Sequence, residues 1–370
     1  MAGNGKTIGI LTGGGDCPGI NAVIRAVAKA AMTEYGWRVI GFRDGYAGMV
    51  LRDYFELTNE RVSNILNLGG TILGTSNKAD PFRWCQQTDA GPTFSDRSKE
   101  AAALCEQLEL AALVCIGGDG TLSIAKKFQD MGLPIVGIPK TIDNDLTGTD
   151  ITFGHDSAVA TAADAIDKLH TTAQSHHRAM VVEVMGRYAG WLALSSGIAG
   201  GGDIILIPEI PYDMQKVCKT VRDRAGRGKR FSIVVVAEGS KPIDGERVVR
   251  QIISDSPDPI RLGGIGKVIG LKIETATNIE TRVTILGHVQ RGGCPTAYDR
   301  ILATKYGVGA VGLIKKGKFG EMVCLRGTEI KSVPISEAVG KLKLVPVDND
   351  LVATISKFPF FKRGVGRILT

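Results

Sequence analysis

At 370 residues the chain is too long for one ordinary hydrophobic core and fits two domains with a tail. Hydrophobic residues make up 44% and charged residues 22%, which describes a soluble globular protein; no run of about 18 uninterrupted apolar residues occurs, so no membrane partner is expected. The net charge of +7 is dispersed, and its densest basic segment, 222–230, is broken by Asp223 and holds no aromatic, so phosphorylated small molecules are expected as partners, not nucleic acid.

Residues 1–7 lead straight into an apolar strand at 8–11 with no signal-peptide core. The seven cysteines are odd in number and lack a C-x-x-C pair, which points to reduced thiols and a cytoplasmic setting. The strand ends in Gly13-Gly14-Gly15-Asp16-Cys17-Pro18-Gly19, and 21–35 follows as a helix. Successive amides in such a turn, ahead of a helix N-terminus, form an anion cradle. The run has neither the Gly-Lys-Ser/Thr ending of a Walker loop nor the spaced dinucleotide fingerprint, so a tight structural turn stays open. Cys17 here, and Cys115 in a later strand, read as packing residues.

A second strand at 38–42 precedes a helix at 101–108, a strand at 112–116 and a helix at 121–131. Between the last two, Gly117-Gly118-Asp119-Gly120-Thr121 repeats the glycine turn. Asp119 is placed to bind Mg²⁺ directly or through water, with glycines on either side for close phosphate approach. A helix N-cap is its plainer role, and the two are compatible. The strand at 135–138 then leads into Pro139-Lys140-Thr141-Ile142-Asp143-Asn144-Asp145. Open α/β sheets bind ligands beyond the carboxyl ends of their strands. Two acids one residue apart, after a lysine and a threonine, suit phosphoryl transfer. One takes a proton from an attacking hydroxyl, the other helps to hold a divalent metal, and the cation meets phosphate charge. Alone, the string also fits a solvated Asp-Asn-Asp turn. Two glycine turns beside it, at strand ends of one sheet, favour the functional reading.

After Thr152 a second series begins, with helices at 157–173, 189–199 and 214–225 and strands at 179–184, 204–207 and 232–237. Such alternation is the pattern of parallel sheets covered by helices on both faces, and the simplest cut lies near residue 150. Arg178 precedes one strand and Met185-Gly186-Arg187 ends it, while Glu238-Gly239 ends another; both arginines suit a phosphate. His176 reads as a buried structural histidine. In the run 281–293, strand alternation sets Arg282 and Thr284 on one face and Val283 and Ile285 on the other. His288 and Arg291 in the glycine-rich stretch beyond are assigned to sugar-phosphate binding. The tail from Lys341 onward, with Phe358, Pro359, Phe360 and Phe361, is expected to pack on the body or on a neighbouring subunit.

In this order the strings resemble the phosphofructokinase family, from about residue 6 to about residue 310: the turn at 13–19, Gly-Gly-Asp-Gly-Thr at 117–121, Thr-Ile-Asp-Asn-Asp at 141–145, Met-Gly-Arg at 185–187, Glu-Gly at 238–239 and Leu-Gly-His-Val-Gln-Arg-Gly-Gly at 286–293. The resemblance implies two Rossmann-like three-layer α/β/α domains with mainly parallel sheets. Residues 1–154 with about 290–340 would form the larger, donor-binding domain, and 155–289 with about 341–370 the smaller, fructose 6-phosphate-binding one. It implies transfer of a phosphoryl group to the 1-hydroxyl of fructose 6-phosphate, in glycolysis, by a Mg²⁺-dependent, allosteric homo-oligomer, dimer or tetramer. Asp143 would be the base, with Thr141, Asp145, Arg187 and Lys140 completing the catalytic group and Asp119 carrying the metal. Gly15, Gly118, Gly120 and Thr121 would line the donor phosphates, Tyr46 would sit over the donor, and Lys78 and Arg83 would also contact it. Thr141, Asp143, Met185, Gly186, Arg187, Glu238, His288 and Arg291 would hold fructose 6-phosphate, with Arg178 and Arg282 reaching its 6-phosphate from a neighbouring subunit.

The donor is ATP or pyrophosphate. Pyrophosphate users of the family carry aspartate where this chain has Gly120, which favours ATP; they also carry a lysine at the position of Lys140. The ATP reading is taken because an aspartate's bulk is the harder constraint. Asn77 stands where bacterial relatives have a phosphate-bridging arginine, so Lys78 or Lys140 would supply that charge. Arg25, Asp203 and Lys229 match effector-binding positions of those relatives, but Phe231 and His170 replace a histidine and an arginine, which argues against their type of regulation. A kinase for another sugar phosphate, such as sedoheptulose 7-phosphate, would share these residues. A non-catalytic subunit is disfavoured by the intact Asp119, Asp143 and Asp145.

Overall fold

Short apolar runs rich in Val and Ile form strands, and the amphipathic segments between them form helices. In the computed structural model, which describes residues 5–89, 91–252 and 260–357, the first part of the chain runs β1 (Thr7–Thr12), α1 (Ile20–Tyr35), β2 (Arg38–Phe42), α2 (Tyr46–Leu51), β3 (Tyr54–Glu56), a hairpin of β4 (Trp84–Thr88) and β5 (Gly91–Ser95), α3 (Ser98–Gln107), β6 (Leu110–Gly117), α4 (Asp119–Asp130) and β7 (Ile135–Pro139). It continues with α5 (His155–His176), β8 (Ala179–Val184), α6 (Trp191–Ala199), β9 (Ile204–Leu206), α7 (Met214–Gly226), β10 (Ser232–Ala237), the pair β11 (Val249–Ile252) and β12 (Ile260–Leu262), α8 (Ile265–Thr277) and β13 (Thr281–Ile285). The last elements are α9 (Ala297–Lys315), β14 (Glu321–Arg326), β15 (Glu329–Pro334), α10 (Ile335–Ala338) and α11 (Asp350–Lys357).

Two main sheets result. The first has seven strands in the order β15-β14-β7-β6-β1-β2-β3, parallel from β14 to β2, with antiparallel strands at both edges. The second has four parallel strands in the order β13-β8-β10-β9. Side chains alternate across each sheet, as the pleat requires. Ile8 and Ile10 enter the core shared with α1 and α9, while Leu11, Phe42 and Leu113 pack with α3 and α4 on the other face. In the second sheet Met180, Val182 and Val184 face α5 and α6; Val181, Val234 and Val236 face α7 and α8. Each sheet is thus the middle layer of an α/β/α sandwich.

The chain leaves the first sheet after β7 and returns to it with β14, which pairs with β7 at Met322 and Gly137. The sequence reading assigned no element to 297–334, because α9 is apolar nearly all round and its buried faces hide its period. His176, expected to be buried, is exposed at the end of α5, which runs on past Ala173, its last core residue. Within the tail, Val345 and Val352 are buried in the core of the second sheet; Phe358, Pro359, Phe360 and Phe361 lie outside the described residues. All seven cysteines are free, and burial pushes both Cys17 and Cys115 up to about 12, which suits packing. Among the described residues no helix is long and apolar enough to cross a membrane.

Candidate active site

Strands β1, β6 and β7 are neighbours in register, with Thr12 opposite Ile116 and Gly117 opposite Pro139, so the three loops after them share one edge. The Gly13 amide donates to the Ile116 carbonyl (3.0 Å) and the Lys140 amide to that of Gly117 (3.0 Å). Thr121 is buried beneath the two glycine turns. A Cβ on Gly117 would stand 2.3 Å from the Cβ of Thr121, so only glycine lets the turn close over it. Gly118 lies close to the Lys140 carbonyl, whereas nothing lies within 4 Å of where a Cβ on Gly120 would stand. Lys140 is buried and its Nζ donates to the Gly15 carbonyl. Burial holds its pKa below the usual lysine value, partly offset by Cys17, Asp16 and Asp145.

The acidic loop is built by its own short side chains. The Asp143 amide donates to Thr141 Oγ1 (3.1 Å), Thr152 Oγ1 donates to the Thr141 carbonyl (2.7 Å), and Asn144 sits at φ 51° with its Oδ1 accepting from the Thr152 amide (3.1 Å). Asp143 Oδ1 is buried with no hydrogen-bond partner. Burial, then the charges of Asp145 and Glu238, raise the Asp143 carboxyl to about 8 against the pull of Arg291 and Arg187. Burial also raises Asp145; Thr141 opposes that, and Asp119 adds to it. Glu238 is pushed up to about 7 by burial and Glu183, with Arg187 and Arg291 opposing. Three acids and two arginines therefore share one field.

Glu238 and the arginines come from the carboxyl ends of the second sheet: Met185, Gly186 and Arg187 follow β8, Glu238 follows β10, and His288 and Arg291 lie on a 3₁₀ turn, Gly287–Arg291, after β13. The Arg291 guanidinium reaches the first sheet, since a Cβ on Gly15 would stand 2.1 Å from its Nη1. His288 is exposed on the same turn. Gln290, which sequence reasoning passed over, is fully buried; it accepts from the Met185 amide (3.3 Å) and donates to the Gly287 carbonyl (2.9 Å). Its only sequence signal was its place between His288 and Arg291.

The other expected residues lie around or away from this centre. Tyr46, expected over the donor, is enclosed: its hydroxyl donates to the Thr121 carbonyl (2.8 Å) and its ring stacks on Phe128, because α2 turns it inward under the loop. Arg83 stacks on Phe94 of the β4–β5 hairpin, 4.2 Å from its ring centroid, and Lys78 is exposed beside Ser76, whose carbonyl takes the Gly14 amide. Asp119 is not the N-cap of α4. Gly118 holds that position, and Asp119 Oδ1 accepts from the Gly340 amide (2.8 Å). Arg178 and Arg282 lie at the amino ends of β8 and β13, about 20 Å of strand from Arg187. Both pair with Glu280, Arg178 at 2.8 Å. Of the residues compared with effector positions, Asp203 pairs with the buried Arg224 (2.7 Å), and His170 bonds the Gly200 carbonyl (2.7 Å) and meets Phe231 edge-on.

For Mg²⁺, no group of three or more His, Cys, Asp or Glu that could hold a metal occurs among the described residues. Mg²⁺ does not require one, because it keeps waters and takes one or two carboxylates plus substrate phosphates. Asp119 and Asp145, the charge of the first adding to the rise of the second at the mouth of the glycine turns, fit that donor set.

A protein-family model described as "Phosphofructokinase" matches residues 7–314. An ATP-dependent 6-phosphofructokinase 2 of Clostridium perfringens is 51% identical over 351 residues, 94% of this chain and 96% of that protein. A pyrophosphate–fructose 6-phosphate 1-phosphotransferase of Streptomyces coelicolor is 50% identical over 339 residues, 91% of this chain and 96% of that protein. Among solved structures, phosphofructokinase from Saccharomyces cerevisiae superposes with a TM-score of 0.74 at 32% identity, over 90% of this chain. The present chain spans 45% of the length of that one.

Proposed function

This chain belongs to the phosphofructokinase family, and we propose that it is a Mg²⁺-dependent 6-phosphofructokinase, moving the γ-phosphoryl of ATP to the 1-hydroxyl of fructose 6-phosphate. The observation that carries this reading is Asp143: a half-buried residue with one carboxylate oxygen buried and unpartnered and a carboxyl raised to about 8, facing Arg187 and Arg291. A general base works best with its pKa near the operating pH. Asp143 takes the proton of the 1-hydroxyl as that oxygen bonds to the γ-phosphorus and the bond to the β,γ-bridging oxygen breaks. Arg187 and Arg291 meet the charge on the transferred group. Asp119 and Asp145 would hold Mg²⁺, which neutralises donor phosphate charge when bound.

The open space beside Gly120 supports a nucleotide donor, and Lys140, turned onto the Gly15 carbonyl, serves the loop before it serves a second phosphate. The close pyrophosphate-using relative keeps that donor as the alternative. Glu238, Met185, Gly186, His288 and Arg291 would hold the sugar phosphate. Arg178 and Arg282, too far along the sheet to meet it in their own chain, would reach the 6-phosphate of a neighbouring subunit, which supports a homo-oligomer. The first sheet with α9, β14 and β15 would be the donor domain and the second sheet with residues 341–357 the sugar-phosphate domain. Free cysteines throughout support a cytoplasmic setting, and the proposed reaction is a glycolytic one.

The test is to incubate the protein with Mg²⁺ and fructose 6-phosphate, supplying ATP or pyrophosphate, with sedoheptulose 7-phosphate as the competing acceptor. Fructose 1,6-bisphosphate formed with ATP alone is expected. Product with pyrophosphate alone would overturn the donor assignment, and a preference for sedoheptulose 7-phosphate the acceptor.

A further inference from the structure

The acidic loop is not held by its own residues alone. Residues 340–345, some two hundred positions further along the chain, cross directly behind it. The Gly340 amide donates to Asp119 Oδ1 (2.8 Å), Leu342 forms an antiparallel bridge with Leu146, and the Lys343 amide donates to the Asp145 carbonyl (2.8 Å). The Lys343 ammonium then makes three bonds, to Asn144 Oδ1 (2.8 Å), the Asp150 carbonyl (2.8 Å) and the Thr149 carbonyl (3.1 Å). Three oxygens that cannot bond one another converge on one point, and an ammonium's three donors match them.

The same segment reaches the second sheet. Trp191 Nε1, in the first turn of α6, donates to the Lys343 carbonyl (2.8 Å), and the Val345 amide donates to Glu209 Oε1 (2.8 Å). Glu209 in turn accepts from the Gly190 amide (2.9 Å), ahead of α6 and just past Arg187. One strap therefore grips the Asp143–Asp145 loop on one side and the segment carrying Arg187 on the other.

We propose that Lys343 is a positioning residue for phosphoryl transfer: its ammonium fixes the left-handed turn at Asn144 so that Asp143 and Asp145 face the cleft, and its backbone ties that turn to the segment behind Arg187. This role depends on the phosphofructokinase reading of the cleft. The Lys343 ammonium hydrogen-bonds no substrate-facing group, so its loss acts through loop geometry, with its charge near Asp145 a lesser contribution that Lys343→Arg keeps. A misplacement near 1 Å at a reacting group lowers turnover by about a hundred-fold. Burial already holds Lys343 down to about 8, with Asp150 and Asp145 opposing and Arg326 assisting, so a lysine is retained here at a cost in solvation.

Lys343→Met keeps the stem and deletes the donors. It is expected to lower kcat for ATP and fructose 6-phosphate by about ten- to a hundred-fold, while half-saturating fructose 6-phosphate stays within about three-fold, because Glu238 and Arg291 are untouched. Lys343→Arg, which keeps a charged donor, is expected to recover a large part of that kcat. Should Lys343→Met fail to fold, Trp191→Phe, which removes the indole donor to the strap but keeps an aromatic ring in its place, is expected to lower kcat several-fold at unchanged half-saturation. A kcat within two-fold of the parent for the folded variant overturns the role alone, as does an equal loss in kcat and in sugar-phosphate affinity with no recovery by Lys343→Arg. A parent protein inactive with ATP and with pyrophosphate overturns the kinase reading and this role with it.

Discussion

Asp143 sets chemistry against stability. Its carboxyl is raised to about 8 in the folded chain, chiefly by burial and by Asp145 and Glu238, against 3.8 in an exposed aspartate. Between those values the folded state binds more protons than the unfolded state, so stability falls as pH rises through the window, with the full penalty present above it. Asp143→Asn is therefore expected to raise Tm at pH 8 by about 2 °C or more, and the gain should shrink as pH is lowered toward 4. Turnover should fall by orders of magnitude, since the base is gone. Thermal denaturation at both pH values beside a product assay checks this; a variant no more stable at pH 8 than the parent would remove the buried charge from the account. The acids were legible in the sequence because two glycine turns and an Asp-Asn-Asp string lie one after another at strand ends. Burial was not legible. Tyr46 and Thr121 look equally able to line a ligand until α2 and the glycine turns close over them. Nothing local marks Lys343 or Gln290, whose partners are distant in sequence.

The contact between the turn after β1 and the 3₁₀ turn after β13 is what joins donor-side and acceptor-side residues across the cleft. Gly15 lies outside the left-handed region, so alanine fits its backbone, but the new methyl would occupy the place of Arg291 Nη1. The end of a long side chain moves cheaply. Gly15→Ala is accordingly expected to leave Tm within about 2 °C while lowering kcat/KM for fructose 6-phosphate by about ten-fold or more. Paired melting curves and initial rates decide it, and an unchanged kcat/KM would show that Arg291 is not seated by that turn. Elements built around runs of Val, such as β8 and β10, were readable with their bounds because near-continuous apolar residues mark strands buried on both faces. The β14–β15 hairpin was not, since β15, the edge strand, carries Glu, Lys and Ser among its apolar residues and β14 is bounded by Glu321 and Arg326, so neither can be told from a loop by pattern. Strand order was equally hidden, because β7 finds β14 only through pairing across the whole second sheet.

At the scale of the molecule, the two ends of the second sheet carry different tasks. Arg187, Glu238 and Arg291 gather at the carboxyl ends, while Arg178, Arg282 and Glu280 cluster at the amino ends, about 20 Å away. If that second cluster serves a neighbouring chain, Arg282→Ala is expected to raise half-saturating fructose 6-phosphate about ten-fold or more with kcat largely kept, and parent activity per chain should fall on dilution as the oligomer dissociates. Half-saturation unchanged in the variant, with activity independent of protein concentration, would confine Arg282 to its pairing with Glu280. The return of the chain to its first sheet has a consequence during synthesis. Until β14 emerges from the ribosome, β7 is the raw edge of a hydrophobic sheet, its amides and carbonyls free to pair with any other nascent chain. The strand that leads into the acidic loop is thus the last of its sheet's parallel strands to be covered, and the interval needed to translate the whole second sheet is when this protein is most exposed to aggregation.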